Sequence, residues 1–190
     1  MFLHNKNKEF LGITYMLLCM LFFSINDAFI KYILLIYKDI TLLGQVIFIR
    51  GLCSTFILGL YLYSKKKLTL DIIKSKPLHA RGAIESIAAI FFFLGLMYLP
   101  FGELYSLLNL APILITASGA FILGEKVGWR RWTAVILGFV GVMIVIKPHD
   151  LQFGYAFIYP LISAIFIAQR DTITRKYLEK FDSLQVVFIT

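Results

Sequence analysis

Apolar residues along this chain gather in runs about as long as a bilayer is thick, and short polar breaks separate them. Six runs stand out, at Leu11 to Ile36, Leu42 to Tyr63, Leu78 to Leu99, Leu104 to Leu123, Trp132 to Ile146 and Tyr155 to Ile173. A helix rises about 1.5 Å per residue, so about 20 apolar residues cross a hydrocarbon core of roughly 30 Å. Each run is therefore expected to form a membrane-spanning helix. The fifth is short, but Trp129 and Trp132 at one end and Lys147 at the other are placed as interface anchors. The breaks carry Lys65-Lys66-Lys67, Pro77, Pro100-Phe101-Gly102, Gly124, Gly128 and Pro148. His4, Lys6 and Lys8 precede the first run as they would in a signal peptide. That run is too long for a signal sequence, lacks a small-residue cleavage site and is followed by more spans, so it is read as the first transmembrane helix.

Composition agrees with this pattern. Hydrophobic residues make up 59% of the chain and charged residues 16%, against about 45–50% and 25% in soluble domains, and the mean hydropathy is +0.82. The expected fold class is an all-α integral membrane protein, a transmembrane helix bundle. The net charge of +8 is distributed unevenly. With loops assigned alternately to the two sides, one side holds 14 Lys and Arg, including Lys65 to Lys67, Lys126, Arg130 and Arg131, while the other holds Lys38 and Lys147. The positive-inside rule then puts the N-terminus in the cytoplasm. Basic residues that flank spans set topology and meet anionic headgroups, so the partners expected are the lipid bilayer and no nucleic acid. Cys19 and Cys53 lie within spans without a nearby histidine pair, which supports neither a disulfide framework nor a metal site. No cofactor is expected.

The chain also repeats itself. Gln185-Val186-Val187-Phe188-Ile189 matches Gln45-Val46-Ile47-Phe48-Ile49, and Asp171 with Arg175 repeats the spacing of Asp27 with Lys31. Both matches lie in apolar segments and imply a unit of about 140 residues that begins again near Gly154. The expected domains are residues 1–148, a five-helix repeat, and residues 149–190, the start of a second repeat that is incomplete. A unit with an odd number of spans re-enters the bilayer in the opposite sense, which creates the inverted pair common among secondary transporters.

Charges inside the apolar runs mark the candidate site, because an ionisable side chain near the bilayer centre costs at least about 2.5–3.5 kcal/mol and needs a partner, water or a role. Arg50 lies about eight residues into the second run, roughly 12 Å deep. It is expected to face the bundle and either a substrate anion or a carboxylate. Asp27 and Lys31 share one helical face at i, i+4. Asp27 is placed to bind a cationic substrate group or a coupling proton, while Lys31 is near enough to the surface to snorkel. Arg81 and Glu85 have the same spacing, and Glu85 is the deeper and more costly of the two; its structural alternative is a salt bridge to Arg81 or Arg50. Glu103 opens the fourth run, where a carboxylate favours a helix N-terminus. In that run Asn109 and Pro112 lie one turn apart. Proline removes a backbone hydrogen bond and kinks the helix, freeing a carbonyl for a ligand or a neighbour. Ser106 and Thr116 are candidates to line the same cavity.

Several of these segments resemble the EamA-type family of the drug/metabolite transporter superfamily. The resemblance rests on Leu110-Ala111-Pro112-Ile113, on Leu123-Gly124-Glu125-Lys126 leading to Trp132, and on Gly138-Phe139-Val140-Gly141-Val142 ending at Lys147-Pro148. Ser24-Ile25-Asn26-Asp27-Ala28 with Lys31, then Gly44-Gln45 and Arg50-Gly51, are similar to the subgroup that includes S-adenosylmethionine and riboflavin carriers. The resemblance implies a multi-pass protein of the bacterial inner membrane, usually of ten helices in two inverted halves. It further implies secondary transport, by alternating access, of a small polar or zwitterionic metabolite, S-adenosylmethionine or a riboflavin-like molecule among them. Arg50, Asp27, Glu85, Lys31 and Asn109 are then the substrate-binding candidates. Two other readings stand beside it. An integral-membrane lipid-modifying enzyme would want clustered histidines or carboxylates, whereas His4, His79 and His149 are scattered over loops. An inactive or half-size carrier fragment is the third.

Overall fold

A computed structural model describes residues 2–37, 39–68, 70–125, 127–146, 154–177 and 181–190. They are almost entirely helical. The helices are α1 (Phe2–Tyr37), α2 (Ile40–Ser64), α3 (Leu70–Lys74), α4 (Lys76–Tyr98), α5 (Phe101–Leu108), α6 (Leu110–Ile122), α7 (Trp129–Ile146), α8 (Ile158–Tyr177) and α9 (Ser183–Ile189), with a 3-10 turn at Gly154–Phe157. Lys126, Lys147 and Pro148, given topological or boundary roles above, lie outside the described residues.

Two compact units divide the chain, Met1–Gly44 and Gln45–Thr190. The first contains α1 and the opening turn of α2. With 36 residues α1 is about 54 Å long, more than a bilayer core requires. Its threonine and serine hydroxyls are satisfied within the helix: Thr14 Oγ1 donates to the Phe10 carbonyl at 2.9 Å and Ser24 Oγ to that of Met20 at 3.0 Å. Such bonds let polar residues sit in an apolar segment at low cost.

In the second unit α8 is the central element. It packs along α4 and against α5 and α6, while α7 lies on α5 and α6, and α9 sits on α3 and α4. The contact surfaces use small residues. Ala88 on α4 and Ser163, Ala164 and Ala168 on α8 are buried, and Ser163 Oγ donates to the Ala88 carbonyl at 2.9 Å. At Gly95 a Cβ would stand 2.8 Å from Leu104 Cδ1 and 3.2 Å from Pro160 Cδ, so a larger residue there would have to displace both. Close packing of this kind holds membrane helices together, because lipid offers no hydrophobic drive between them.

Four helical stretches among the described residues are long and apolar enough to span a membrane: Phe10–Tyr37, Thr41–Ser64, Lys76–Tyr98 and Phe101–Ile122. The fifth and sixth runs also form helices. They are α7 and α8, and the second half of α8 carries Arg170, Asp171, Arg175 and Lys176, which lower its hydropathy. The fourth run differs from a single rod. It is interrupted at Asn109, where φ is helical at −64° but ψ, at −6°, departs from the helical value. Pro112 follows three residues later; it has no N–H, and its ring crowds the carbonyl of Leu108.

Candidate functional site

One N-cap opens α2 within the first unit, and another opens α9 at the polar end of the second. Asp39 Oδ1 accepts the Thr41 N–H at 2.8 Å at the start of α2. Asp182 and Gln185 form a capping box at the start of α9, with the Asp182 N–H donating to Gln185 Oε1 at 3.0 Å. Lys67, in the loop after α2, reaches Asp182 Oδ2 with its Nζ at 2.6 Å, and Gln185 Nε2 donates to the Lys67 carbonyl at 2.9 Å. The hydrogen bond from Lys67 holds the Asp182 carboxyl below its ordinary range, and the same contact raises the Lys67 ammonium. Beneath this bridge Ile72, Leu78 and Val186 form a small buried cluster, with Phe181 and Ile189 against it.

Deeper along the same helices lies a charged layer. Arg170 Nη1 donates to Glu85 Oε2 at 2.7 Å and to Oε1 at 3.0 Å, and Arg170 Nε donates to Asp171 Oδ1 at 2.8 Å. Arg81, one turn before Glu85 on α4, places its Nη2 3.9 Å from Glu85 Oε2 and donates from Nε to Thr174 Oγ1 at 2.9 Å. The Thr174 hydroxyl passes this on to the Arg170 carbonyl at 2.8 Å. Another guanidinium nitrogen of Arg81 donates to the Thr190 hydroxyl. Two cations and two anions alternate, so the layer is neutral and both helices are tied by charge-assisted hydrogen bonds.

Arg170 is the charged residue of this layer that the apolar pattern did not single out. A salt bridge from Glu85 to Arg81 or Arg50 was the expected structural alternative. The structure instead gives Glu85 to Arg170, with Arg81 at the edge of the pair. The rule that singled out Arg50 applies equally to Arg170, a cation inside the sixth apolar run.

Arg50 has a different environment. Its side chain is exposed, and it forms no ion pair among the described residues. Its guanidinium carbon lies 5.9 Å from the Phe93 ring centroid, a cation–π contact. Phe93 is buried and meets Phe92 edge-on at 5.2 Å; Phe92 contacts Tyr105 at 6.3 Å, and Tyr105 stacks on Phe101 at 6.0 Å. A row of aromatic rings thus runs from Arg50 toward the start of α5.

The break at Asn109 opens a groove of about 480 Å³ between the α5–α6 pair and α7, lined by Ser106, Asn109, Pro112, Ile113, Gly138 and Gly141 among others. Glycines on α7 make the space: a Cβ at Gly138 would come within 3.3 Å of Ile113 Cδ1. Ser106 Oγ and Thr116 Oγ1 are bonded to the carbonyls of Gly102 and Pro112. Asn109 is exposed and makes no capping bond to α6. Glu103 lies in the first turn of α5. In the first unit, Asp27 and Lys31 are both buried one turn apart on α1, and Asn26 Nδ2 donates to Asp27 Oδ1 at 3.2 Å. No group of three or more His, Cys, Asp or Glu side chains among the described residues is arranged to hold a metal ion.

A bundle of apolar helices with charges lodged inside it defines a multi-pass membrane protein. The chain belongs to the EamA-like transporter family, whose profile matches residues 10–147. It is 27% identical over 177 residues to the S-adenosylmethionine uptake transporter of Rickettsia prowazekii, which covers 93% of this chain and 59% of the relative. It is 33% identical over 81 residues to the riboflavin transporter of Rhizobium johnstonii, covering 43% of this chain and 27% of that protein. A third relative, the pseudopaline exporter of Pseudomonas aeruginosa, is 20% identical over 179 residues, 93% of this chain and 61% of that protein. The chain thus spans about three-fifths of the length of the S-adenosylmethionine transporter it matches. No solved structure matches it.

Proposed function

We propose that this chain provides the substrate-contacting helices of a secondary carrier that moves a small polar or zwitterionic metabolite across the bacterial inner membrane by alternating access. An S-adenosylmethionine-like molecule, with a carboxylate, a cationic centre and a flat ring, is the preferred cargo, and a riboflavin-like one the next. The observation that carries this reading is Arg50, a guanidinium about ten residues into an apolar helix with an aromatic face beside it and no carboxylate partner among the described residues. Its role is to take the anionic group of the cargo, while Phe92 and Tyr105 offer ring faces for a planar one. Asp27 on α1 takes a cationic group or a coupling proton, with Lys31 one turn away. Asn109 contributes an amide at the helix break, where irregular backbone lines transporter cavities.

Support for an inverted repeat comes from paired features within each unit. Asn26 bonds to the adjacent Asp27 on α1 as Arg170 bonds to the adjacent Asp171 on α8, and both α2 and α9 begin at a capping aspartate. The repeats then run over residues 1–148 and from 149 onward. The excess of Lys and Arg on one side supports a cytoplasmic N-terminus.

Uptake of isotopically labelled S-adenosylmethionine and riboflavin into proteoliposomes tests the reading. Accumulation of one of them, abolished by Arg50→Ala with insertion intact, is the expected result. Failure of the unsubstituted protein to move either cargo, or full uptake by the variant, would sink it.

A further inference from the structure

The charged layer at the basic end of the second unit is more than packing. α4 and α8 meet along their length through small residues, yet their polar ties concentrate at one end. There, Glu85 holds Arg170, Arg81 holds Thr174, and Lys67 holds Asp182. All three ties join the α2–α4 segment to the α8–α9 segment. Toward the other end of α8 the contacts are Ser163 with the Ala88 carbonyl, Tyr159 against Phe91 and Tyr98, and the close pass of Gly95 by Pro160. None of those contacts involves a charged group. Charge-assisted hydrogen bonds are directional and have two states, made or broken. We propose that Glu85 and Arg170, assisted by Arg81–Thr174 and Lys67–Asp182, form a latch that closes the basic end of the helix bundle and releases when that end opens. This inference rests on the carrier reading and assigns Glu85 and Arg170 to gating instead of cargo binding.

Charge placement explains why release is feasible. When α4 and α8 part, Arg170 keeps Asp171 on its own helix at 2.8 Å and Glu85 keeps Arg81 one turn away at 3.9 Å. Neither helix is left with an uncompensated buried charge, which is the usual large penalty for separating an ion pair in a low-dielectric site. A purely structural pair has no need of a spare partner on each side.

The test is side-specific labelling of the full chain in proteoliposomes with a water-soluble maleimide, after Cys19→Ser and Cys53→Ser. Two reporters are used on the face of α8 that meets α4: Ile167→Cys, one turn inward from Arg170, and Ser163→Cys, about 6 Å farther along the helix. Ser163 is buried and Ile167 half-buried. Glu85→Gln or Arg170→Gln should raise labelling at position 167 about tenfold or more while position 163 stays protected, and Arg170→Lys should keep position 167 slow. A rise at both positions would mean that the pair merely holds the fold together, and no rise at either would mean that it holds nothing shut; both results overturn the latch. Labelling is read without transport, so a chain that opens this way but carries no cargo would sink the carrier reading and leave the latch standing.

Discussion

Glu85 and Arg170 stand 85 positions apart in the chain and 2.7 Å apart in space, joining α4 to α8. Each side chain is partly buried, with about a quarter to a third of its surface accessible. The pair is therefore worth more than a surface bridge and less than a fully dry one. A double-mutant cycle with Glu85→Gln and Arg170→Gln should give a coupling of about 1–3 kcal/mol by thermal unfolding in detergent. Additive single effects would mean that the two groups do not act together.

Arg50 should show the opposite trade. Replacing it with leucine removes an exposed intramembrane cation that has only a ring face beside it, so insertion should improve by up to about 2.5–3.5 kcal/mol on the membrane-insertion scale. Uptake should nevertheless be lost. An Arg50→Leu protein that inserts less well than the unsubstituted one would indicate an anionic partner that α2 meets in the bilayer.

The close pass at Gly95 should tolerate little. Gly95→Ala forces a Cβ to within 2.8 Å of Leu104 Cδ1 and 3.2 Å of the rigid Pro160 ring, and overpacking of this kind costs about 1–3 kcal/mol. Gly141→Ala is the control, since nothing lies within 4 Å of its Cβ position. Comparable melting temperatures for the two variants would show that α4 and α8 can part at this point without penalty.

The Lys67–Asp182 bridge has a defined pH window. Its hydrogen bond lowers the Asp182 pKa from the ordinary 3.8, so its contribution is present above that value and is lost as pH falls through the lower folded value. Lys67 is raised above 10.5, so its contribution is full below that value and is lost as pH rises through the higher folded one. Between those limits amide exchange in the first turn of α9 should vary with pH only through intrinsic chemistry. Asp182→Asn, or about 1 M salt, which shortens the screening length to about 3 Å, should speed it about two- to fivefold. Unchanged exchange in Asp182→Asn would show that the capping box alone secures the turn.

Much of this protein was legible in its sequence because hydropathy and charge act locally. An apolar run of bilayer length must satisfy its backbone internally and so becomes a helix, which accounts for α1, α2 and α4 directly. A charge within such a run is conspicuous wherever it lies, hence Arg50 and Glu85. The sequence also implied a disturbed fourth span from Asn109 and Pro112, since proline's missing N–H is a property of one residue. Tertiary structure alone decided the partners. Glu85 takes Arg170, and not Arg81 or Arg50 as its main partner, because the close contact of α4 with α8 sets which faces meet, and that contact includes Gly95 against Pro160 and Ala88 against Ser163, neutral residues elsewhere on the two helices. The groove beside Asn109 likewise needs glycines from α7, a helix whose approach no local pattern in the fourth run encodes. Local chemistry specified which groups needed partners, and the packing of distant helices chose them.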